Sequence, residues 1–132
     1  MDILLHERVS FTCPWTQKRL TYPHHYDLDP LLPLVVYPIN ELWNLLPVDR
    51  NFNQRVKRDR VPSGERLRHA EPHFITAYEN YGKSTRLSRV MHEDAALRFA
   101  GLTNSSGFAS RLAQRAIEFI EDVSNARYVS RF

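Results

Sequence analysis

Residues 26–62 read YDLDPLLPLVVYPINELWNLLPVDRNFNQRVKRDRVP and decide the fold. The start of this segment, with the HH before it, alternates in a way that predicts a short strand with Asp27 and Asp29 on one face. An apolar connector, LLPLVVYP, follows. Asp49 is a suitable N-cap for a helix over about 50–58. The segment therefore predicts a strand, a connector and a helix, and its most unusual residue is Pro30, directly after Asp29.

The sequence on either side of this segment completes an α+β chain. Upstream, FTCPWTQKRLT predicts a strand, a turn and a second strand. Downstream, apolar residues recur at three- and four-residue steps and predict three helices, at about 65–81, 84–100 and 105–126. Pro72 lies inside the first of these spans, so that helix could instead start there. The punctuation VPSGER divides the chain into two regions, 1–63 and 64–132.

Composition narrows the class of protein. The 132 residues are 42% hydrophobic and 25% charged, which is typical of a globular domain. No apolar run approaches the ~18 residues that a membrane span requires, and the start MDILLHERVSF lacks the basic residues of a secretory signal. The single cysteine, Cys13, excludes an internal disulfide. These features predict a cytoplasmic protein without a membrane segment.

Positive charge is concentrated in one strip. Residues 50–60 contain five basic residues and one aspartate, so this strip has a net charge of +4. The whole chain has a net charge of +3, so the residues outside the strip sum to −1. Its basic members are Arg50, Arg55, Lys57, Arg58 and Arg60. Such a strip on a near-neutral body suggests contact with a polyanion. The alternative is an ordinary solvated helix face.

Carboxylate and amide groups gather where the strand ends and the helix begins. Asp29 ends the strand, and Asn51 and Asn53 lie in the first helical turn beside Asp49. A hard divalent cation such as Mg²⁺ takes oxygen ligands, often one or two carboxylates plus phosphate oxygens. With a basic strip next to it, this arrangement suits a metal-assisted phosphodiesterase. An Asx-rich turn and a helix cap explain the same residues without chemistry.

Several ordered pieces of the segment resemble the HNH endonuclease motif, the ββα-metal fold. The family pattern is a strand ending in Asp-His, an asparagine in NLxP, then DRxxN and a basic K-x-D-R-x-P finish. This chain has DLDP, NELWNLLP, DRNFN and VKRDRVP in that order, after CPWTQKRL. The CP-aromatic-T opening is similar to the HNH domains of CRISPR effectors and other bacterial defence nucleases. The resemblance covers about 11–62 and implies a small ββα-metal (HNH-like) module with a helical C-terminal region.

The resemblance also implies roles for matching residues. Asp29 and Asn53 match the two ligands of a divalent metal, Mg²⁺ or Mn²⁺. Asn44 matches the asparagine that holds the loop and the general-base histidine in place. Asp49 and Arg50 match the helix start, with a capping and packing role, and Lys57 in the basic finish matches a contact with the DNA phosphate backbone. The charge of the strip as a whole predicts that nucleic acid is contacted by Arg50, Arg55, Lys57, Arg58 and Arg60.

Pro30 is where the chain departs from the pattern, because the family places its general-base histidine there. Proline has no titratable group, and losing a general base typically costs ~10²- to 10⁴-fold in rate. His25 is a weak substitute, since four strand residues place it about 13 Å from Asp29. Three interpretations stay open: a weakened DNA endonuclease, an inactive HNH-fold module that binds nucleic acid or protein, and an altered copy of a parent with histidine at position 30.

The sequence predicts no helix with a base-reading polar face. Sequence selection is therefore expected from another protein, a subunit or a guide RNA in a larger assembly. The helical region could be the docking surface for it. The simpler interpretation is that this region covers the open face of the ββα unit, which is too small to have much core alone.

Overall fold

The computed structural model describes residues 9–20, 26–102 and 106–132. Its first element is a small antiparallel hairpin of β1 (Phe11–Thr12) and β2 (Arg19–Leu20). This hairpin forms where the sequence predicts a strand, a turn and a strand. The amide of buried Cys13 donates to the Lys18 carbonyl at 2.8 Å and closes the turn.

Residues 26–62 begin with a second antiparallel pair, β3 (Tyr26–Pro30) with β4 (Leu45–Asp49). The register runs from Tyr26 opposite Asp49 to Pro30 opposite Leu45. The sequence predicts β3 but not β4, because Pro47 interrupts the β pattern. Pro47 is tolerated because this sheet has two strands, so one side of each strand needs no ladder bond. The order is therefore a strand, a long connector over residues 31–44, a strand and a helix.

The helix after β4 begins as predicted and then widens. In α1 (Arg50–Phe52), Asp49 is the N-cap and its side chain accepts from the Phe52 amide at 3.1 Å. The helix continues as a π-helical turn, Asn53–Lys57, closed by the Arg58 amide on the Asn53 carbonyl at 2.7 Å. A π turn holds one more residue than an α turn, and the sequence pattern gives no sign of it.

The second half is helical, with α2 (Gly64–Tyr81), α3 (Thr85–Arg98) and α4 (Phe108–Arg127). Serine side chains cap α2 and α3, as Ser63 accepts from the Arg66 amide and Ser84 from the Leu87 amide. Pro72 lies inside α2 and does not start it. Pro72 lies on the exposed side of the helix. The main-chain carbonyl four residues earlier, which receives no hydrogen bond from proline, can therefore bond to water. The predicted α+β class is confirmed.

The regions on either side of VPSGER share one hydrophobic core. Buried side chains from both regions form one cluster that includes Phe11, Leu46 and Phe74. The Tyr78 hydroxyl on α2 donates to the Trp43 carbonyl in the connector at 2.7 Å. The division at 63 and 64 therefore separates groups of elements within a common core. Among the described helices, none combines the length and the apolar character that crossing a membrane demands.

Candidate metal centre

A cleft lies where β3 ends and α1 widens. Asp29 is in β3, and Asn53 is the first residue of the π turn. Because α1 starts directly after β4, Asn53 returns to β3, where its Nδ2 donates to Asp27 Oδ2 at 2.9 Å. Asp29, Pro30 and Asn53 line one open cleft of about 390 Å³. The fold thus brings together the two residues that the resemblance matches to metal ligands.

Two buried acceptor oxygens lie at this cleft. Asn53 Oδ1 has no hydrogen-bond donor among the described residues, and Asp29 Oδ2 is faced by the Lys57 ammonium at 2.8 Å. Buried acceptors without partners are rare in proteins and call for an explanation. A carboxylate and an amide oxygen are ligands that hard divalent cations accept. The pair therefore fits a cation whose other ligands are water or phosphate.

Acidic and histidine side chains do not complete such a site alone. Within the described ranges, no group of three or more His, Cys, Asp or Glu side chains is placed to hold a metal ion. Asp29 and Asn53 would thus be a two-residue contribution. That number is ordinary for Mg²⁺, which keeps several waters and often binds through one or two carboxylates plus phosphate oxygens.

Lys57 already places a positive charge at this position. Its side chain is fully buried, and its Nζ lies 2.8 Å from Asp29 Oδ2. The same Nζ donates to the Pro30 carbonyl at 3.2 Å. A contact between Lys57 and a phosphate, as the resemblance implies, would require this ion pair to open.

Burial raises the pKa of the Asp29 carboxyl from 3.8 to about 6. The Lys57 charge opposes this rise, and the carboxylates of Asp27 and Asp59 add to it. Desolvation dominates because Asp29 is only 5% exposed. A pKa of about 6 still leaves the carboxyl mostly charged at neutral pH, so it can serve as an ion-pair partner or a metal ligand.

Asn44 holds the start of the connector. Its buried side chain accepts from the Leu32 amide at 3.0 Å and donates to the Leu32 carbonyl at 3.1 Å. Its own carbonyl accepts from the Leu31 amide at 2.8 Å. These bonds fix the two residues that follow Pro30. Asn44 thus positions one end of the cleft wall without lining the cleft.

Pro30 ends β3 at the position of the expected base. It is half-buried, lies opposite Leu45 and lines the cleft. The described residues that line the cleft include no histidine. His25, the weak substitute, lies outside the described residues. Position 30 therefore contributes shape and a carbonyl oxygen but no proton acceptor of suitable pKa.

Internal contacts engage part of the basic strip. The Arg50 Nε donates to Asp27 Oδ1 at 2.9 Å, and its Nη2 donates to the Tyr26 carbonyl. Arg60 lies over the Phe132 ring, with its Cζ 5.8 Å from the ring centroid. A side chain held in this way is less available to a phosphate.

Arg55 and Arg58 remain exposed, and Arg58 lines the cleft. Arg58 also has φ 53° and ψ −131°, a conformation that side chains with a Cβ rarely adopt. Strained backbone of this kind concentrates at functional sites. Among the five basic residues, these two are the best placed for a polyanion.

Replacing Arg58 with glycine is expected to raise the free energy of unfolding by about 1 kcal/mol, because glycine adopts positive φ without Cβ strain. Equilibrium urea unfolding measures the change. The matched control Arg55→Gly, inside the π turn, should lower stability by roughly 1 kcal/mol. A destabilised Arg58→Gly protein would contradict a strained Arg58.

Three residues near this cleft have no role that the sequence predicts. Asp27 orients Asn53 and Arg50, and its place two residues before Asp29 on the same strand face was the available signal. Leu34 and Val35 line the cleft while 59% and 84% exposed. Apolar residues in a connector give no sequence sign of such exposure.

Comparisons of the chain with protein-family models, curated proteins and solved structures give no match.

Proposed function

We propose that this chain is an HNH-type ββα-metal module that hydrolyses DNA phosphodiester bonds slowly, with Mg²⁺ or Mn²⁺ held by Asp29 and Asn53. One observation carries the proposal. Asn53 Oδ1 is buried without a hydrogen-bond donor among the described residues, and its side chain lines the same cleft as the buried carboxylate of Asp29. The strand pair β3–β4 followed by α1 has the element order that the resemblance implies.

Each residue has a separate task in this proposal. A bound divalent cation would polarise the scissile phosphate and stabilise the leaving oxygen. Asp29 and Asn53 hold that cation, and Asn44 fixes the connector beside it. Arg58 and Arg55 hold the flanking backbone through charge. Pro30 cannot take a proton from the attacking water, which is why the proposed hydrolysis is slow.

Plasmid nicking tests this function. The protein should nick supercoiled plasmid in Mg²⁺ or Mn²⁺ but not in EDTA, and Asp29→Ala and Asn53→Ala should each abolish nicking. Asp122→Ala removes an exposed carboxylate on α4 and should leave nicking unchanged. Nicking that survives Asp29→Ala, or that ignores EDTA, would overturn the proposal.

The second candidate is an inactive HNH-fold module that binds nucleic acid or a protein in a larger assembly. Two observations favour it: Pro30 at the base position, and the Lys57 ammonium against Asp29. A module that binds nucleic acid retains DNA in a gel without nicking it in any cation, and a module that binds only a protein neither retains nor nicks DNA. DNA selection by a partner protein or a guide RNA is compatible with either candidate, because phosphate contacts position a protein without reading sequence.

Arg55→Ala is expected to weaken DNA binding equally across sequences and to reduce the slope of log Kd against log salt by about 1, the value for one lost phosphate contact. Fluorescence anisotropy at several salt concentrations measures the slope. Lys83→Ala removes an exposed positive charge outside the strip and should leave the slope unchanged. Equal slopes for all three proteins would exclude Arg55 from the interface.

A further inference from the structure

Lys57 is a charged residue among the largest fully buried side chains of the described structure. Burying an ammonium group costs several kcal/mol unless a counter-charge and hydrogen-bond acceptors compensate. Asp29 Oδ2 at 2.8 Å supplies the charge, and the Pro30 carbonyl at 3.2 Å accepts a hydrogen bond. The side chain therefore has a defined place in the cleft wall, unlike a lysine that extends into solvent.

The backbone conformation around Lys57 directs its side chain towards Asp29. Lys57 ends the π turn, in which the Arg58 amide bonds to the carbonyl five residues earlier, that of Asn53. One additional residue rotates the chain that follows by about 100° relative to a regular α-helix. Single π turns occur often at functional sites. Here the widened turn and the positive φ of Arg58 accompany a lysine that points back to Asp29.

We propose that Lys57 is an internal counter-ion that competes with the divalent cation for Asp29, so that cation binding requires its ammonium to leave Oδ2. The inference rests on the proposed function, since it takes Asp29 and Asn53 as the cation ligands. Two cations cannot both lie against one carboxylate oxygen at contact distance without strong repulsion. The free energy needed to break the ion pair therefore makes the free energy of metal binding less favourable.

Removing the charge of Lys57 should tighten metal binding at Asp29. Mn²⁺ alone is the probe, and electron paramagnetic resonance of free Mn²⁺ gives the dissociation constant without any DNA cleavage. The variants are Lys57→Met and Lys57→Gln, of which the second keeps a hydrogen-bond donor in case the first does not fold. We expect each to bind Mn²⁺ at least ~10-fold more tightly than the parent.

Two further variants identify the site and control for net charge. Lys57→Met with Asp29→Asn should lose the tightened binding, because the carboxylate is gone. Lys83→Met changes the net charge by the same amount at an exposed position and should bind Mn²⁺ as the parent does.

The outcomes separate this inference from the proposed function. Equal Mn²⁺ affinity in the parent and both Lys57 variants, abolished by Asp29→Asn, would overturn the competition and leave the metal site intact. Mn²⁺ binding that is unaffected by Asp29→Asn in every background would overturn the metal site and the inference together. Tighter binding in the Lys57 variants that depends on Asp29 supports both.

Discussion

Pro30→His is expected to raise the rate of plasmid nicking in Mg²⁺ or Mn²⁺ by roughly 10²- to 10⁴-fold, the contribution of a positioned general base. Position 30 lines the same cleft as Asp29 and Asn53, so an imidazole there would stand beside the proposed cation site. Histidine has a pKa near neutrality and can take a proton from the attacking water. Proline cannot do this.

The local fold should accept the substitution. Pro30 is the last residue of β3, and its side chain is only half-buried. The Lys57 ammonium bonds to the carbonyl of position 30, a main-chain group that histidine retains. The connector beyond is fixed by Asn44 through Leu31 and Leu32 and does not depend on the proline ring.

The controls for this prediction separate the effect of adding a general base from the effect of removing the proline ring. Pro30→Ala removes the ring without adding a base and should nick no faster than the parent. Pro30→His combined with Asp29→Ala should be as slow as Asp29→Ala alone. A Pro30→His protein that binds Mn²⁺ and DNA but nicks at the parent rate would show that the missing histidine is not what limits the reaction.

Much of the cleft could be predicted from sequence because its residues have strong local signals. Asp49 precedes a segment with good helix formers late in it, and it caps α1 as that pattern indicates. Asp27 and Asp29 alternate on a short strand, which the structure contains as β3. The HNH resemblance paired Asp29 with Asn53, and the two line one cleft.

The rest depends on contacts that sequence patterns do not encode. β4 contains Pro47, whose acceptability depends on having an unpaired strand edge, a property of the sheet. The π turn at Asn53–Lys57 has the residue types of any helix. The burial of Lys57 follows from that turn and from the opposing carboxylate of Asp29. The sequence therefore shows a strip of positive charge but not that one of its lysines is buried.

The hydrophobic core shared by the two regions also depends on long-range contacts. Proline content falls sharply after VPSGER, which indicates a change of secondary structure. It does not indicate a separate core, because Tyr78 and Arg98 on the helices bond to the connector residues Trp43 and Glu41. Such long-range pairs leave no local pattern.

Lys57→Met is expected to lower the free energy of unfolding in EDTA by about 3–5 kcal/mol, the usual cost of removing one partner of a buried ion pair. Methionine has nearly the shape of the lysine stem, so packing is largely kept. The Asp29 carboxylate, 5% exposed, loses the charge that opposes its desolvation. Urea unfolding of the parent and the variant measures the difference.

A double-mutant cycle isolates the charge interaction from the rest. Asp29→Asn alone should also destabilise, since it leaves the Lys57 ammonium buried without a carboxylate. Lys57→Met with Asp29→Asn removes both charges and should cost much less than the sum of the two single changes, by about 0.5–3 kcal/mol. Additive losses would mean that the two side chains do not interact in solution as they do in this structure.

The stability of the double variant decides what the ion pair is for. Buried ion pairs replaced by uncharged residues of similar shape often leave a protein equally stable or more stable. If the double variant matches the parent, the Asp29–Lys57 pair contributes nothing to folding that neutral residues could not. In that case the Asp29 carboxylate is explained by the cation that binds at the cleft. Lys57 is then explained as the group that neutralises this carboxylate while no cation is bound. If the double variant remains several kcal/mol less stable, the pair is part of the fold itself, and the interpretation as an inactive module gains ground over the nuclease.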